Sequence, residues 1–378
     1  MTDTRPIWLA GLLAALLATA PFSAARTIAV PDDHATIGDA LLGAEAGDFV
    51  LVSCGVYRER NLRVPSGVTL WSATLQPDCV VIDAQGRGRV FIFEDCDSTT
   101  AVVGFTLRGG RTTHDGGLVV ARDAAVRLSR CRFEAGEAQR GGAFACRGER
   151  SPRLEECVFT GNAARTLGGA VLWRSTAPGR MIGCRFSSNM AIGGGALAVS
   201  AGTDLRLERT RLVANEAGNV GGAVWVGGGE LELRDCVLAR NVGGLGGSAM
   251  AIAGGRPRLV GCTITGNLAD ADGAAVTLVR GGLVGERTLL AYNTPAAVDG
   301  TPTVAVELAA CNIYGHPGGD WAGPAAGFAG RRENFSADPL FCRPVTPDYA
   351  LRGGSPCLPG GRGGATTVLV GATGRGCD

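Results

Sequence analysis

Seven times in this chain a Cys or Thr opens the pattern C/T-x-φ-x-x-N, where φ is apolar. The openers are Cys131, Cys157, Cys184, Thr210, Cys236, Cys262 and Thr288, in steps of 26, 27, 26, 26, 26 and 26 residues. Asn162, Asn189, Asn215, Asn241, Asn267 and Asn293 close six of the copies; Gly136 stands in the first. A small-residue triplet follows six of the seven closing residues, as in Gly168-Gly169-Ala170 and Gly221-Gly222-Ala223. A fixed period of this length predicts a solenoid, in which each repeat buries its apolar face only by stacking on its neighbours.

Within one period the alternation Leu231/Leu233 and Cys236/Leu238 places those side chains inside. The period therefore reads as a strand after the triplet, a Gly-rich turn, then a longer strand ending at the Asn. Six Asn in register predict a ladder, each amide hydrogen-bonding the next coil and satisfying buried turn groups. Residues 26–50 read as a cap. Ile37, Ala40, Leu41 and Ala44 fall at helical spacing, predicting an amphipathic helix over Thr36–Ala46 that covers the open end of the stack. The coils occupy 51–300, and 301–378 reads as a closing segment and tail. The expected fold is all-β, a parallel β-helix of about 26-residue coils with a short N-terminal helix.

Arg5 precedes the apolar run Ile7 to Ala20, and Ser23-x-Ala25 offers small residues at a cleavage point. Residues 1–25 thus read as a signal peptide, too short for a comfortable span, with no transmembrane segment expected in the mature chain. The expectation is export, to the periplasm or the extracellular space. All 13 Cys lie beyond residue 25, so at least one is unpaired. Stacked openers lie within disulfide reach along the backbone, but in-register side chains point the same way, which favours buried thiols. Cys54–Cys79, and a pair among Cys342, Cys357 and Cys377, are the disulfide candidates. Three His and no C-x-x-C argue against zinc, and no other metal or cofactor is expected. The chain has no Lys, which removes Schiff-base and Ser–Lys chemistry, and its net charge of +1 does not suggest a nucleic-acid binder.

The F-x-x-N motifs (Phe159–Asn162, Phe186–Asn189) and G-G-A-[VL] motifs (Gly168–Val171, Gly194–Leu197, Gly221–Val224) resemble those of chlamydial polymorphic outer-membrane proteins. The resemblance covers roughly residues 130–295 and implies a right-handed parallel β-helix of the pectin-lyase-like superfamily. The stretch Gly47–Val52 with Gly55–Glu59 and Val64–Val68 is similar to the first coil of secreted β-helix proteins, pectin methylesterases included. Asp338–Phe341 to Ser355-Pro356 resembles the end of bacterial secreted β-helix proteins. No barrel pattern follows, so the autotransporter route does not carry over.

Enzymes of that superfamily carry carboxylates and Arg on an outward face. Here the column two residues after the triplet Ala reads Ala145, Leu172, Ala198, Trp225, Ala251 and Thr277, without carboxylate, Arg or His. That column offers neither paired acids nor a calcium site, and no catalytic residue is assigned. Asp270–Gly273 echoes a calcium loop only weakly. The column with charge lies four residues before each opener: Arg127, Arg153, Arg180, Arg206, Glu232 and Arg258, then Val284. Arg132, Arg185 and Arg211 are positioned to widen it. Adjacent like charges repel, so the row needs compensation. Surface ion pairs with Glu155, Glu156, Glu208, Glu232 and Asp235 supply one answer; an acidic polysaccharide lying along the row supplies another. The resulting expectation is a secreted, non-catalytic binding or surface protein that engages acidic polysaccharide or a surface protein. The alternative is a polysaccharide lyase or hydrolase with a site in the early coils, around Asp78, Asp83, Glu94, Asp95 and Asp97 with Arg87 and Arg89.

Overall fold

The computed structural model describes residues 24–270, 273–343, 348–361 and 367–377. The leader reading over 1–25 falls almost wholly outside these residues, as do two positions of the Asp270–Gly273 loop. The chain winds as a parallel β-solenoid, three of its sheets taking a strand from nearly every coil and a fourth only from the middle coils. Sheet A has 12 strands, from Thr27–Val30 to Ala305–Ala309. Sheet B has 11, from Gly55–Tyr57 to Asn312–Tyr314. Sheet C has 10, from Leu62–Arg63 to Val298–Gly300, and sheet D has six, from Glu137–Arg140 to Leu268–Ala269.

The coil is more divided than its sequence suggests. The single long strand before each Asn is two strands in different sheets: Arg127–Ser129 lies in A and Arg132–Glu134 in B. Between them one residue turns the corner in the left-handed region. Coil after coil this is Arg130 (φ 51°), Glu156 (53°), Gly183 (64°), Arg209 (46°), Asp235 (53°), Gly261 (62°) and Arg287 (48°). Most are not Gly, so residue type does not announce the corner. Stacking holds it instead: the Arg130 N–H donates to Glu155 O at 2.9 Å and that of Glu156 to Ile182 O at 2.8 Å. A further strand, Glu137–Arg140 of sheet D, fills what reads as a turn between Asn and triplet.

Inside, side chains of one kind stack on themselves. Phe133, Phe159 and Phe186 lie face to face, with centroids 4.4 and 4.6 Å apart. The Asn residues form one continuous ladder. Asn189 Oδ1 accepts from both the backbone N–H (3.1 Å) and Nδ2 (3.0 Å) of Asn162, whose Nδ2 also donates to Phe133 O at 2.9 Å. The same pattern runs on to Asn293.

Both ends of the core are covered. The capping helix, α1, spans only Ile37–Leu42 rather than 36–46: Thr36 caps it, and Gly43 ends it. The Glu59 carboxylate accepts from the N–H groups of Ile37 (2.9 Å) and Gly38 (2.8 Å). At the other end, the Gly/Ala/Pro-rich stretch after 315 contains a 3-10 helix, Gly323–Phe328, whose Ala325 is buried in the main core. The closing segment folds over the outside of sheet B. Phe341, Tyr349, Leu351 and Cys357 cover Val237, Ala239, Leu289 and Ala291. Cys54 is bonded to Cys79 and Cys342 to Cys377; Cys357 is a buried thiol.

Candidate functional site

The Arg row lies where the register places it. Arg127, Arg153, Arg180 and Arg206 are direct neighbours along sheet A, followed by Glu232 and Arg258. Carboxylates on the same face answer it. From Arg127–Ser129 to Ala305–Ala309 the strands of sheet A carry six Arg and seven Asp or Glu. Arg206 pairs with Glu232 at 2.9 Å, Arg258 with Glu286 at 2.8 Å, and Arg153 with Glu155. Among the described residues, Arg127 and Arg180 have no ion pair. The corner before each opener turns Arg132, Arg185 and Arg211 onto sheet B, so they do not widen the row.

The denser cationic site is on sheet C. The column at Ala145, Leu172, Ala198 and Ala251 is outward but almost fully buried. The triplet makes a re-entrant corner there: a Cβ added to Gly141 would stand 3.0 Å from that of Leu172 in the next coil, and Leu167 and Trp225 pack over the cluster. Two residues further along each strand, the outward file reads Glu94, Arg122, Arg147 and Arg174 on successive coils. This file was legible: each Arg is the fourth residue after Leu118, Ala143 or Ala170, the last residue of each triplet or its equivalent. Inspecting only the second residue misses it.

Around this file is a cleft of about 340 Å³, lined by five guanidinium groups (Arg89, Arg122, Arg140, Arg147, Arg174) and one carboxylate, Asp115. Arg140 grips Asp115 with both arms, at 2.8 and 2.9 Å, and Arg174 stands 3.8 Å from it. Arg89 donates to the Asp115 carbonyl, from Nη2 at 2.9 Å. Burial, with Arg122 alongside, lowers the pKa of Arg89, which still remains charged at neutral pH. Arg122, and after it Arg63, hold the Glu94 carboxyl below the usual carboxylate range. Arg147 is exposed and, among the described residues, has no side-chain partner. The cleft therefore offers surplus positive charge in fork geometry, suited to carboxylate or sulfate groups. Its one carboxylate is held in a bidentate pair, and among the described residues the exposed His114 imidazole hydrogen-bonds only Thr113.

The carboxylates of the early coils do not gather into one constellation. Asp83 pairs with Arg108 at 2.9 Å, Asp78 with Arg132, and Glu94 with Arg63 and Arg122. Asp97 accepts from the Thr99 N–H at 2.9 Å, and Asp95 is a left-handed turn residue. Of these residues Arg89 lines the cleft, Glu94 reaches it only through its ion pair with Arg122, and Arg87 is exposed. Among the described residues, no group of three or more His, Cys, Asp or Glu is placed to hold a metal ion, and no helix is long and apolar enough to cross a membrane. No protein-family model matches this sequence, and no curated protein matches it.

Proposed function

We propose that this protein is an exported β-helix of pectin-lyase-like type that binds an acidic polysaccharide without catalysis, with residues 1–25 as its export signal. The single observation behind this reading is the sheet C cleft, where five guanidinium groups face one carboxylate. On sheet A the charges balance, so the Arg127–Arg258 row is read as a surface ion-pair network of small net value. The binding site moves accordingly from sheet A to sheet C. Catalysis has weaker support, because Asp83, Glu94 and Asp115 are each engaged by Arg.

The test is titration of the mature protein with polygalacturonate and heparin at increasing NaCl. Affinity should fall with salt and collapse in an Arg147→Ala/Arg174→Ala double variant, while an Arg153→Ala/Arg180→Ala variant retains it. Undiminished binding by the first variant, or loss only in the second, overturns the assignment. New unsaturated or reducing ends in either glycan would overturn the non-catalytic part.

A further inference from the structure

The Arg file does not end at Arg174. Trp173, Val199 and Val226 are register partners on successive coils, which puts Arg174, Ser200 and Gly227 in one file. Gly227 is covered by an indole. A Cβ added there would lie 2.3 Å from Cη2 and 2.5 Å from Cζ3 of Trp225, so the outer edge of the six-membered ring stands over the bare Gly backbone. The strand neighbours keep the shelf low: Ala198 and Ala251 flank Trp225, and Gly254 flanks Gly227. The indole packs against this small-residue floor. Trp225 is only partly buried and points outward on the same side of sheet C as Arg147 and Arg174. Trp173, by contrast, is fully buried inside the coil.

Coils repeat about every 4.8 Å, so Arg122, Arg147 and Arg174 form three steps of a straight line and the Trp225 ring lies two steps further, roughly 19 Å from Arg122. A polyphosphate or a free anion uses the charged steps and gains nothing from a flat ring. A saccharide does gain, because the polarised C–H groups on one face of a sugar pack against the electron-rich face of an aromatic ring.

Resting on the polyanion reading above, we propose that Trp225 is a sugar-stacking subsite of the same groove. The ligand is then an anionic oligosaccharide lying along the file, with acid groups on Arg122, Arg147 and Arg174 and one neutral ring face on Trp225.

The experiment uses the full mature chain with three probes: hexagalacturonate, a heparin-derived hexasaccharide, and inorganic polyphosphate of similar length. At least one hexasaccharide should bind and be weakened about tenfold by Trp225→Ala, with polyphosphate affinity unchanged. Ligand-induced change in tryptophan emission should vanish in Trp225→Phe. If Trp225→Ala does not fold, Trp225→Leu keeps apolar packing on Ala198 without a flat ring and should show the same selective loss. Equal hexasaccharide affinity in wild type and both Trp225 variants, or an equal loss for polyphosphate, overturns the stacking subsite and leaves the polyanion reading standing. No binding of any probe, or binding indifferent to Arg147→Ala/Arg174→Ala, overturns both.

Discussion

Asn293 donates its side-chain amide to Nε2 of His316 at 3.2 Å, and with this contact the Asn ladder ends on an imidazole. The Asn293 side chain cannot turn round, because its Oδ1 accepts from Asn267 N (3.0 Å) and Nδ2 (2.8 Å) and its Nδ2 donates to Ile264 O. Nε2 of His316 must therefore be an acceptor, and Nδ1 carries the proton toward Asp320, 3.3 Å away. Burial lowers the pKa of His316, and Asp320 opposes this without cancelling it. A folded pKa below the unfolded value of about 6.5 means the neutral ring contributes stability above that pH, lost as pH falls through the folded value. The melting temperature should drop between pH 7.5 and 5 by more in wild type than in His316→Gln. Parallel pH profiles would refute the ladder-end role.

Asn215 sits mid-ladder. Its Nδ2 donates to Phe186 O (3.1 Å) and Asn241 Oδ1 (3.0 Å), and its Oδ1 accepts from Asn189 N and Nδ2. Asn215→Ala leaves several buried groups unpaired at once, and a loss of about 3 kcal/mol or more is expected. Denaturant unfolding measures it; a loss below about 1 kcal/mol would mean water replaces the amide.

How much of this was legible follows from how each feature is encoded. The Asn ladder and the Cys file are the same residue recurring at one period, and identity at a fixed step is visible in a single sequence. The corner at Arg130, Glu156, Arg209 and Asp235 is backbone geometry imposed on residues with no common chemistry, so one strand was read where there are two. That error put Arg132, Arg185 and Arg211 beside the sheet A row when they lie on sheet B. The Arg122–Arg147–Arg174 file was visible at a fixed offset from the triplet. Its meaning was not, because Asp115, Arg89 and Arg140 reach the cleft from other turns. Of the partners of the sheet A row, Glu155 and Glu232 were among the carboxylates named from the sequence, whereas Glu286, the partner of Arg258, comes from the next coil and was not.

Nine Cys are free thiols, all buried, among them five of the seven openers. Each opener Sγ sits against carbonyl oxygens, as Cys157 does at 3.4 Å from both Leu128 O and Glu155 O. Burial pushes Cys146 and Cys357 up to about 11 and Cys311 to about 12. A thiol-specific reagent at pH 8 should find none in the native protein and nine after denaturation without reductant. Because these folded pKa values exceed the unfolded value of about 8.5, their stabilisation is complete below that pH and fades between about 8.5 and 11–12. Fast native labelling would show that the coils open on that timescale.

The middle Gly of each triplet carries the last prediction. A Cβ on Gly195 would stand 2.3 Å from Gly222 O and 2.4 Å from Glu216 O, both backbone atoms of the next coil. Gly142, Gly169 and Gly222 meet the following coil equally closely, at 2.0–2.2 Å for the nearest atom. Ser248 and Ala274 fill the corresponding positions in the last two triplets, so the restriction belongs to the coils between 142 and 222. No side-chain rotation relieves a clash between Cβ and main chain, and the coils on either side must separate. Gly195→Ala should cost about 3 kcal/mol or more, or prevent folding. Gly43→Ala, at a position with ordinary backbone angles and nothing within 4 Å, should be near neutral. Thermal unfolding of the two variants side by side checks this: equal melting temperatures would mean the coils can part at the triplet corner at little cost, and the corner would then be a poor floor for the groove that runs beside it.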